Sequence, residues 1–356
     1  MYKKFFMGIA AMAALTLVSC SSDDLNSLSD NSSKNEAISF DGYLGRSAVA
    51  VNGSRGSMLD KPALQNSTEG FGVFGNYSKE GATEGYGQNL FKNQPVTYSR
   101  PESKWTYSPH RYWLPKGHID FLAYAPYDAT KTSLTDNKSK IGFTVSSKID
   151  EQKDLLWANA ANQQQTNRPV TFTFNHALSR IGYTVNLKKD CYNNVTIILK
   201  SITLAGSDDG TKGAFYTSGT IDLSKGNKED GLWPVHEGKQ KFDWFSGDYQ
   251  VKGSTAFHPD GTIEKDKDYL FVIPQDFSSS APEADKLYVI VTYTIQYNGI
   301  SDVFTNTVHK QIMQKFEQGK AYTINLTIGS PIDFDVNVVT GWDNADGIPI
   351  NIDSWE

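Results

Sequence analysis

The chain has 356 residues, enough for two domains of ordinary size, and 38% of them are apolar, so a substantial core can form. With 34 Lys and Arg against 40 Asp and Glu the net charge is −6, which argues against a nucleic-acid partner. Two cysteines exclude a disulfide scaffold or a cysteine-rich zinc module, and 18 Tyr with 19 Phe favour sheets over helix bundles.

Lys3 and Lys4 precede an apolar run from Phe5 to Val18, too short to span a bilayer as a stable helix, which reads as an export signal. Leu17-Val18-Ser19-Cys20 resembles the lipobox of bacterial lipoproteins. That resemblance implies a signal peptide over 1–19, cleavage before Cys20, and acylation of Cys20, which anchors the chain to a membrane. The alternative is an ordinary secretory peptide with an incidental cysteine. Ser21-Ser22-Asp23-Asp24 resembles the acidic surface-export signal of Bacteroidetes lipoproteins, which implies the outer face of the cell outer membrane. Residues 20–36 are rich in Ser, Asn and Asp, with little to bury, and are expected to be a flexible tether. Cys191 then has no partner for an intrachain disulfide and no adjoining histidine, so it reads as structural.

Beyond the tether the chain reads as β. Phe71-Gly72-Val73-Phe74 is a short strand, and Ile119 to Tyr124 is another, stopped by Pro126. In Val170 to Phe174, Phe172 and Phe174 face away from Thr171 and Thr173. Ile181, Tyr183, Val185 and Leu187 alternate, followed by Val195, Ile197 and Leu199, then Ile202 and Leu204. Ser207-Asp208-Asp209-Gly210 breaks this series, which suggests a domain boundary there: 37–207 and 208–356. Ser224–Gly238 and Phe277–Asp285 read as loops. Leu287 to Tyr297 is the clearest strand, with Leu287, Val289, Val291, Tyr293 and Ile295 on one face. Asn298-Gly299 tolerates positive φ and predicts a hairpin to Val303–Val308. Short helices are expected around Ala177-Leu178-Ser179 and over Val308–Gln318, the second with Ile312, Met313 and Phe316 on one side and Gly319 as its stop. Tyr322, Ile324, Leu326 and Ile328 alternate with polar residues, as do Phe334, Val336 and Val338 after a turn at Gly329-Ser330-Pro331. Trp342 follows as a large apolar anchor. Many short strands separated by turns argue an all-β sandwich class rather than βαβ units.

Motifs that carry chemistry are scarce. H-E-x-x-H, C-x-x-C and G-x-S-x-G do not occur. Gly85-Tyr86-Gly87 begins like a dinucleotide loop, but Leu90 stands at the third glycine position. Asp208-Asp209-Gly210 and Asp260-Gly261 read as turns, lacking the other ligands of a calcium loop. His118 and Asp120 share one strand face, and His110 lies near enough to meet His118 across a hairpin, yet these supply too few ligands for zinc. His176, at a strand end, reads as a hydrogen-bonding structural residue. Neither metal nor cofactor is expected. Seven tryptophans leave open a sugar-stacking surface, for which Trp233 and Trp244, near loops, are the candidates. A pair of distant carboxylates facing a sugar also stays open.

Several blocks together resemble the fimbrillin-like proteins, the pilus subunits of Bacteroidales and their anchors. They are the lipobox, Ile38-Ser39-Phe40, Phe71–Phe74, His118–Pro126, Asp154-Leu155-Leu156-Trp157-Ala158, Val170–Arg180, Tyr322–Ile328 and Phe334–Trp342. The resemblance implies two tandem transthyretin-like β-sandwich domains and assembly with other fimbrial subunits at the cell surface. It also implies that a protease cuts after an arginine, removes the first strand, and leaves a groove that a neighbour's strand fills. Arg46 and Arg55, which follow a candidate first strand over Ala37–Tyr43, fit that cleavage. The strands of Tyr322, Ile324, Leu326 and Ile328 and of Phe334, Val336 and Val338 are donor candidates, or stay in their own sandwich. The sequence therefore supports a stalk, tip or anchor subunit contributing to adhesion to a host or bacterial surface ligand. A surface glycan-binding lipoprotein is the alternative, and a hydrolase the more distant one.

Overall fold

The run from Ile119 to Ala125 has almost no polar face, so its strand must be buried on both sides. The computed structural model of the protein describes residues 36–44, 61–82, 85–135, 139–187, 195–226, 229–251, 269–279, 285–328 and 333–339. In it the run is β5 (His118–Ala125), near the middle of a seven-stranded sheet. The other members are β1 (Phe40–Leu44), β2 (Phe71–Ser78), β3 (Phe91–Ser99), β4 (Lys104–Thr106), β7 (Leu156–Gln163) and β8 (Val170–His176). Their order is β1-β8-β7-β5-β2-β3-β4, with every pair antiparallel except β1 and β8, which run parallel. One short helix, α1 (Lys61–Asn66), precedes β2.

The sheet rolls until its edges approach. Ala37 bridges Tyr112, and Ile38 N–H donates to the Arg111 carbonyl at 2.8 Å. The inside of the roll is aromatic: Phe71, Phe91, Phe121, Phe172 and Phe174 meet there around Phe40. Successive side chains of a strand point to opposite faces. Phe121 and Ala123 of β5 therefore enter the roll, whereas Leu122 and Tyr124 enter a second, larger core outside it. Phe74 of β2 and Trp157 of β7 enter the second core as well.

That larger core lies mainly between two four-stranded sheets. One has the order β13 (Phe242–Gln250), β10 (Val195–Ala205), β16 (Tyr288–Tyr297), β17 (Val303–Gln311). The other has β14 (Leu270–Val272), β9 (Ser179–Leu187), β19 (Ala321–Ile328), β20 (Asp333–Val339). A three-stranded sheet of β12 (Val235–Glu237), β11 (Ser218–Asp222) and β6 (Lys140–Thr144) and the pair β15 (Gln275–Asp276) with β18 (Lys315–Phe316) complete it. The fold is thus all-β, as the strand patterns predict. The strand pairing does not follow the division at Ser207, however. β9 and β10 precede that point yet pair with β14, β19, β13 and β16, which follow it.

Two helix expectations fail. Over Val308–Gln318 the chain stays in β17 as far as Gln311, then forms β18. The nine-pair ladder from Gln296↔Val303 to Tyr288↔Gln311 holds the backbone extended, and Ile312 and Phe316 reach the core from that trace. Ala177-Leu178-Ser179 is not helical either; Ser179 opens β9, and Ala177 and Leu178 carry the chain from the rolled sheet to the sandwich.

That crossing is anchored on both sides. Ala177 N–H donates to Leu155 O at 2.8 Å, and Trp233 Nε1 donates to Ala177 O at 2.9 Å. Gly319 N–H donates to Leu178 O at 2.9 Å, and Ser179 Oγ to Glu317 O at 2.7 Å. His176 Nδ1 lies 2.7 Å from Asp154 Oδ2, with both side chains buried. Arg180 stacks its guanidinium over Tyr269 at 4.1 Å. The blocks Asp154–Ala158 and Val170–Arg180 therefore meet in space as one junction. Removing one partner of a buried hydrogen-bonded pair costs about 3 kcal/mol. Asp154→Ala is expected to lower the unfolding free energy in urea by about that amount. An unchanged denaturant midpoint would show that the junction does not depend on this pair.

Candidate functional site

Residues 37–42 follow a strand pattern: Ile38, Phe40 and Gly42 are buried while Ser39 and Asp41 are exposed. Gly42 packs closely, since a Cβ there would stand 3.2 Å from the Phe174 ring. The segment lies along the seam of the rolled sheet and is held from both flanks. On one flank β1 runs beside β8 in register Phe40↔Val170 to Leu44↔Phe174, and Val170 N–H donates to Ser39 O at 2.8 Å. On the other, besides the Ile38–Arg111 bond, Trp113 N–H donates to Glu36 O at 3.3 Å. Tyr107 Oη donates to Ile38 O at 2.8 Å and lies 3.3 Å from Arg111 O, so one hydroxyl spans the seam. Burial pushes the Tyr107 phenol up to about 12, so it remains a donor at neutral pH. Glu36 adds an ion pair with Arg168 at the surface.

Phe40 is the centre of this arrangement. Its ring centroid lies 5.4 to 5.6 Å from those of Phe91, Tyr107, Phe121 and Phe172. Burying Ile38 and Phe40 contributes roughly 1.5–3 kcal/mol each. A cleft of about 630 Å³ remains beside the segment, lined by Ile38, Ser39, Thr97, Lys104, Trp105 and Tyr107. Without residues 36–44 this cleft would extend into the aromatic interior, and the edge of β8 would lose its partner.

Among the sequence candidates, Cys20, Arg46, Arg55, Cys191 and Trp342 lie outside the described residues. β1 ends at Leu44, two residues before Arg46 in sequence. The two C-terminal strands differ in their setting. β19 is internal to its sheet, parallel to β9 over eight pairs and antiparallel to β20, and buries Tyr322, Ile324, Leu326 and Ile328. β20, with Phe334, Val336 and Val338, pairs with β19 alone among the described residues.

The sugar-stacking candidates are corrected. Trp233 and Trp244 are buried; the first bonds Ala177 O, and the second packs 4.6 Å from Tyr183. Trp105, Trp113 and Trp157 are buried too, so none of the five described tryptophans presents an open face. His118 lies 3.4 Å from Asp120, as two positions on one strand face require, while His110 packs on Tyr107. Asp208-Asp209-Gly210 forms a turn in which Asp209 Oδ1 accepts from Thr211 N–H and both neighbouring hydroxyls. Among the described residues no group of three His, Cys, Asp or Glu is placed to hold a metal. Carboxylates do gather in a cleft of about 440 Å³. Two of them, Glu229 and Asp276, are held below the usual range by hydrogen bonds from Gly226 N–H and Ser278.

Sequence reasoning did not single out Tyr107, Phe91 or Arg111 as part of this site. Trp105 and Tyr107 do alternate across Thr106, a short period-two signal for a strand edge.

The chain matches a family model described as fimbrillin-like over residues 60–345, a span that contains β2 through β20. No curated protein matches it. A fimbrial protein from Bacteroides vulgatus ATCC 8482 is similar in structure, with a TM-score of 0.63 at 20% identity, covering 87% of this chain and 100% of that one. Proteins named as proposed cell adhesion proteins from Bacteroides ovatus ATCC 8483 and Bacteroides uniformis ATCC 8492 give TM-scores of 0.46 and 0.46 at 15% and 16% identity. Those alignments cover 90% and 86% of this chain and 99% and 98% of the other. The family match over most of its length makes this chain a member of the fimbrillin-like family, the family of structural fimbrial subunits.

Proposed function

We propose that this subunit is anchored at the outer membrane through a lipid on Cys20, is trimmed after Arg46, and then takes up a strand from another subunit in place of β1. The observation that carries the reading is the setting of Phe40. The first strand fills an aromatic slot in a sheet whose other six strands pair among themselves. Removing it costs exposed apolar surface and unpaired backbone groups, which an incoming strand with alternating apolar residues would satisfy. Cleavage after Arg55 would free the same strand. Arg46 is preferred because it follows the end of β1 directly in sequence, leaving 47–60 as a new N-terminal segment.

For the donated element we favour β20 over β19. Donating β19 would break two ladders and expose four buried side chains, while β20 is held among the described residues by one ladder. The two bodies are read as the tandem transthyretin-like domains, with the chain passing for good into the second at Ala177-Leu178 and not at Ser207, while β6 reaches ahead into it to pair with β11. Surface exposure and polymeric partners follow from the family; an adhesion ligand is a further part of the proposal. The glycan-binding alternative gains nothing from the five described tryptophans, which are buried.

Intact mass on protein recovered in parallel from filaments and from membranes tests the processing. The expected filament form begins at Ser47 and lacks the Cys20 lipid, and an Arg46→Ala chain stays full-length and membrane-bound. An acylated form beginning at Cys20 in both fractions would overturn the trimming. The grip on β1 has its own test. After a limited tryptic cut, residues up to 46 should stay bound to the body, and Phe40→Ala should weaken that retention about 100-fold, from a loss of ~3 kcal/mol. Equal retention of wild-type and Phe40→Ala segments on size exclusion would remove Phe40 as the anchor. Tyr107→Phe should weaken it about fivefold to tenfold through loss of one seam hydrogen bond.

A further inference from the structure

Most sheet edges among the described residues are short or interrupted. β4, β12 and β14 have three residues each. β13, at one end of the four-stranded sheet, is long but blunted: its register with β10 shifts twice, and Asp243 and Asp248 stand exposed along it. β17, at the other end of that sheet, is different. It runs nine residues without proline or glycine, its register with β16 is unbroken, and β16 is its one partner among the described residues. A long, regular, unblunted edge is a template for another strand.

The edge also exposes apolar surface. Tyr297, Ile300, Val303 and Phe304 at the β16–β17 hairpin are 44%, 48%, 57% and 49% exposed. Tyr297 and Phe304 rings lie 6.3 Å apart, edge to face. Phe304 opposes Ile295, and Val308 opposes Val291, so both point to the core-facing side, where Val308 reaches the core and Phe304 stays half open.

What fits this edge is written in its own sequence. About Asn306 the segment Asp302-Val303-Phe304-Thr305-Asn306-Thr307-Val308-His309-Lys310 is complementary to its own reverse at three of four positions: Thr305 matches Thr307, Phe304 and Val308 are both apolar, and Asp302 and Lys310 carry opposite charges. In an antiparallel pair of two such strands with a two-fold axis at Asn306, Thr305 opposes Thr307, Phe304 opposes Val308 and Val303 opposes His309. Asp302 of each copy then opposes Lys310 of the other. Directly opposed residues share a face, so the half-open Phe304 gains an apolar neighbour on the core side, twice. The charges are complementary at both ends, and a patch that pairs with its own copy in this way makes an isologous contact.

We propose that two copies of this chain associate through β17, antiparallel and centred on Asn306, joining their four-stranded sheets edge to edge. The contact is separate from the β1 seam, so it is available whether or not the first strand has been trimmed. It gives a subunit a lateral partner in addition to the strand exchange proposed above.

The register is tested by cross-linking in the full chain with both native cysteines replaced by serine. Asn306→Cys places its thiol opposite itself and should give a disulfide-linked dimer under mild oxidation. Val303→Cys, at the same edge but far from its own copy across the axis, should cross-link at least tenfold less. Sedimentation of the otherwise native chain tests the charges. Lys310→Asp or Asp302→Lys should each raise the dimer dissociation constant about tenfold, and the two together should restore it to within about threefold. A chain that sediments as a monomer at every concentration overturns the proposal. So does equal cross-linking from the two positions, or slow amide exchange along β17 in a monomer, which would mean that another part of the same chain covers the edge.

Discussion

The first body depends on closing a rolled sheet around aromatic side chains. Phe40 meets rings from β3, β5, β8 and the segment after β4, so β1 completes an aromatic cluster to which three other strands contribute. Closure could have come from a strand adjacent in sequence, as it does for β2 and β3. It comes instead from a segment at the start of the chain, laid parallel to β8. This makes the most central packing interaction of the roll also the one most easily separated from it, because a single peptide bond cut beyond Leu44 would disconnect its strand. Stability and replaceability are properties of the same few residues.

The second body constrains the first through shared strands. β2 and β5 are apolar on both faces because one face lines the roll and the other belongs to the sandwich core. Changes inside the roll therefore reach the sandwich across one layer of backbone. The junction at His176–Arg180 ties the same two bodies through hydrogen bonds and a stacked guanidinium. An arrangement of this kind suits a subunit that carries load along a filament, since a pull on one sheet meets two layers of packing and not a free linker.

Much of the fold was legible where alternation is strong. β16 and β19 show period two over most of their length, and the residues that pattern marks from Val289 to Ile295 and from Tyr322 to Ile328 are buried. β7 was harder, because Ala158-Asn159-Ala160-Ala161-Asn162-Gln163 has little β propensity; pairing with β5 holds it extended. β3 carries Pro95 and a positive φ of 52° at Asn93, both of which speak against a strand locally. The helix expected after Val308 came from Ile312 and Phe316 at helical spacing, which a strand, a turn and a second strand also satisfied. Asp208-Asp209-Gly210 reads as a turn in sequence and forms one, but a turn by itself does not tell whether two domains meet at it. For the site, the first strand was visible in Ile38-Ser39-Phe40. Its parallel partner 130 residues away was not, because pairing over such a distance leaves no local signal. Tyr107 and Arg111 escaped for the same reason.

The distance between Phe40 and Val170 has a consequence for how the chain reaches its folded form. Bringing together two strands so far apart closes a large loop, and such contacts lag behind the local hairpins of β2 with β3 and β16 with β17. β1 is thus expected to dock late, onto a body whose other strands are already in place. The newborn subunit then passes through an open-slot state much like the one that trimming would create. In the time before docking, its own leading segment competes with every free strand nearby, and its advantage is tethering: a strand on the same chain is always present at high local concentration. Under the strand exchange proposed above, the first strand would act as a built-in chaperone, keeping the slot filled until another strand takes its place.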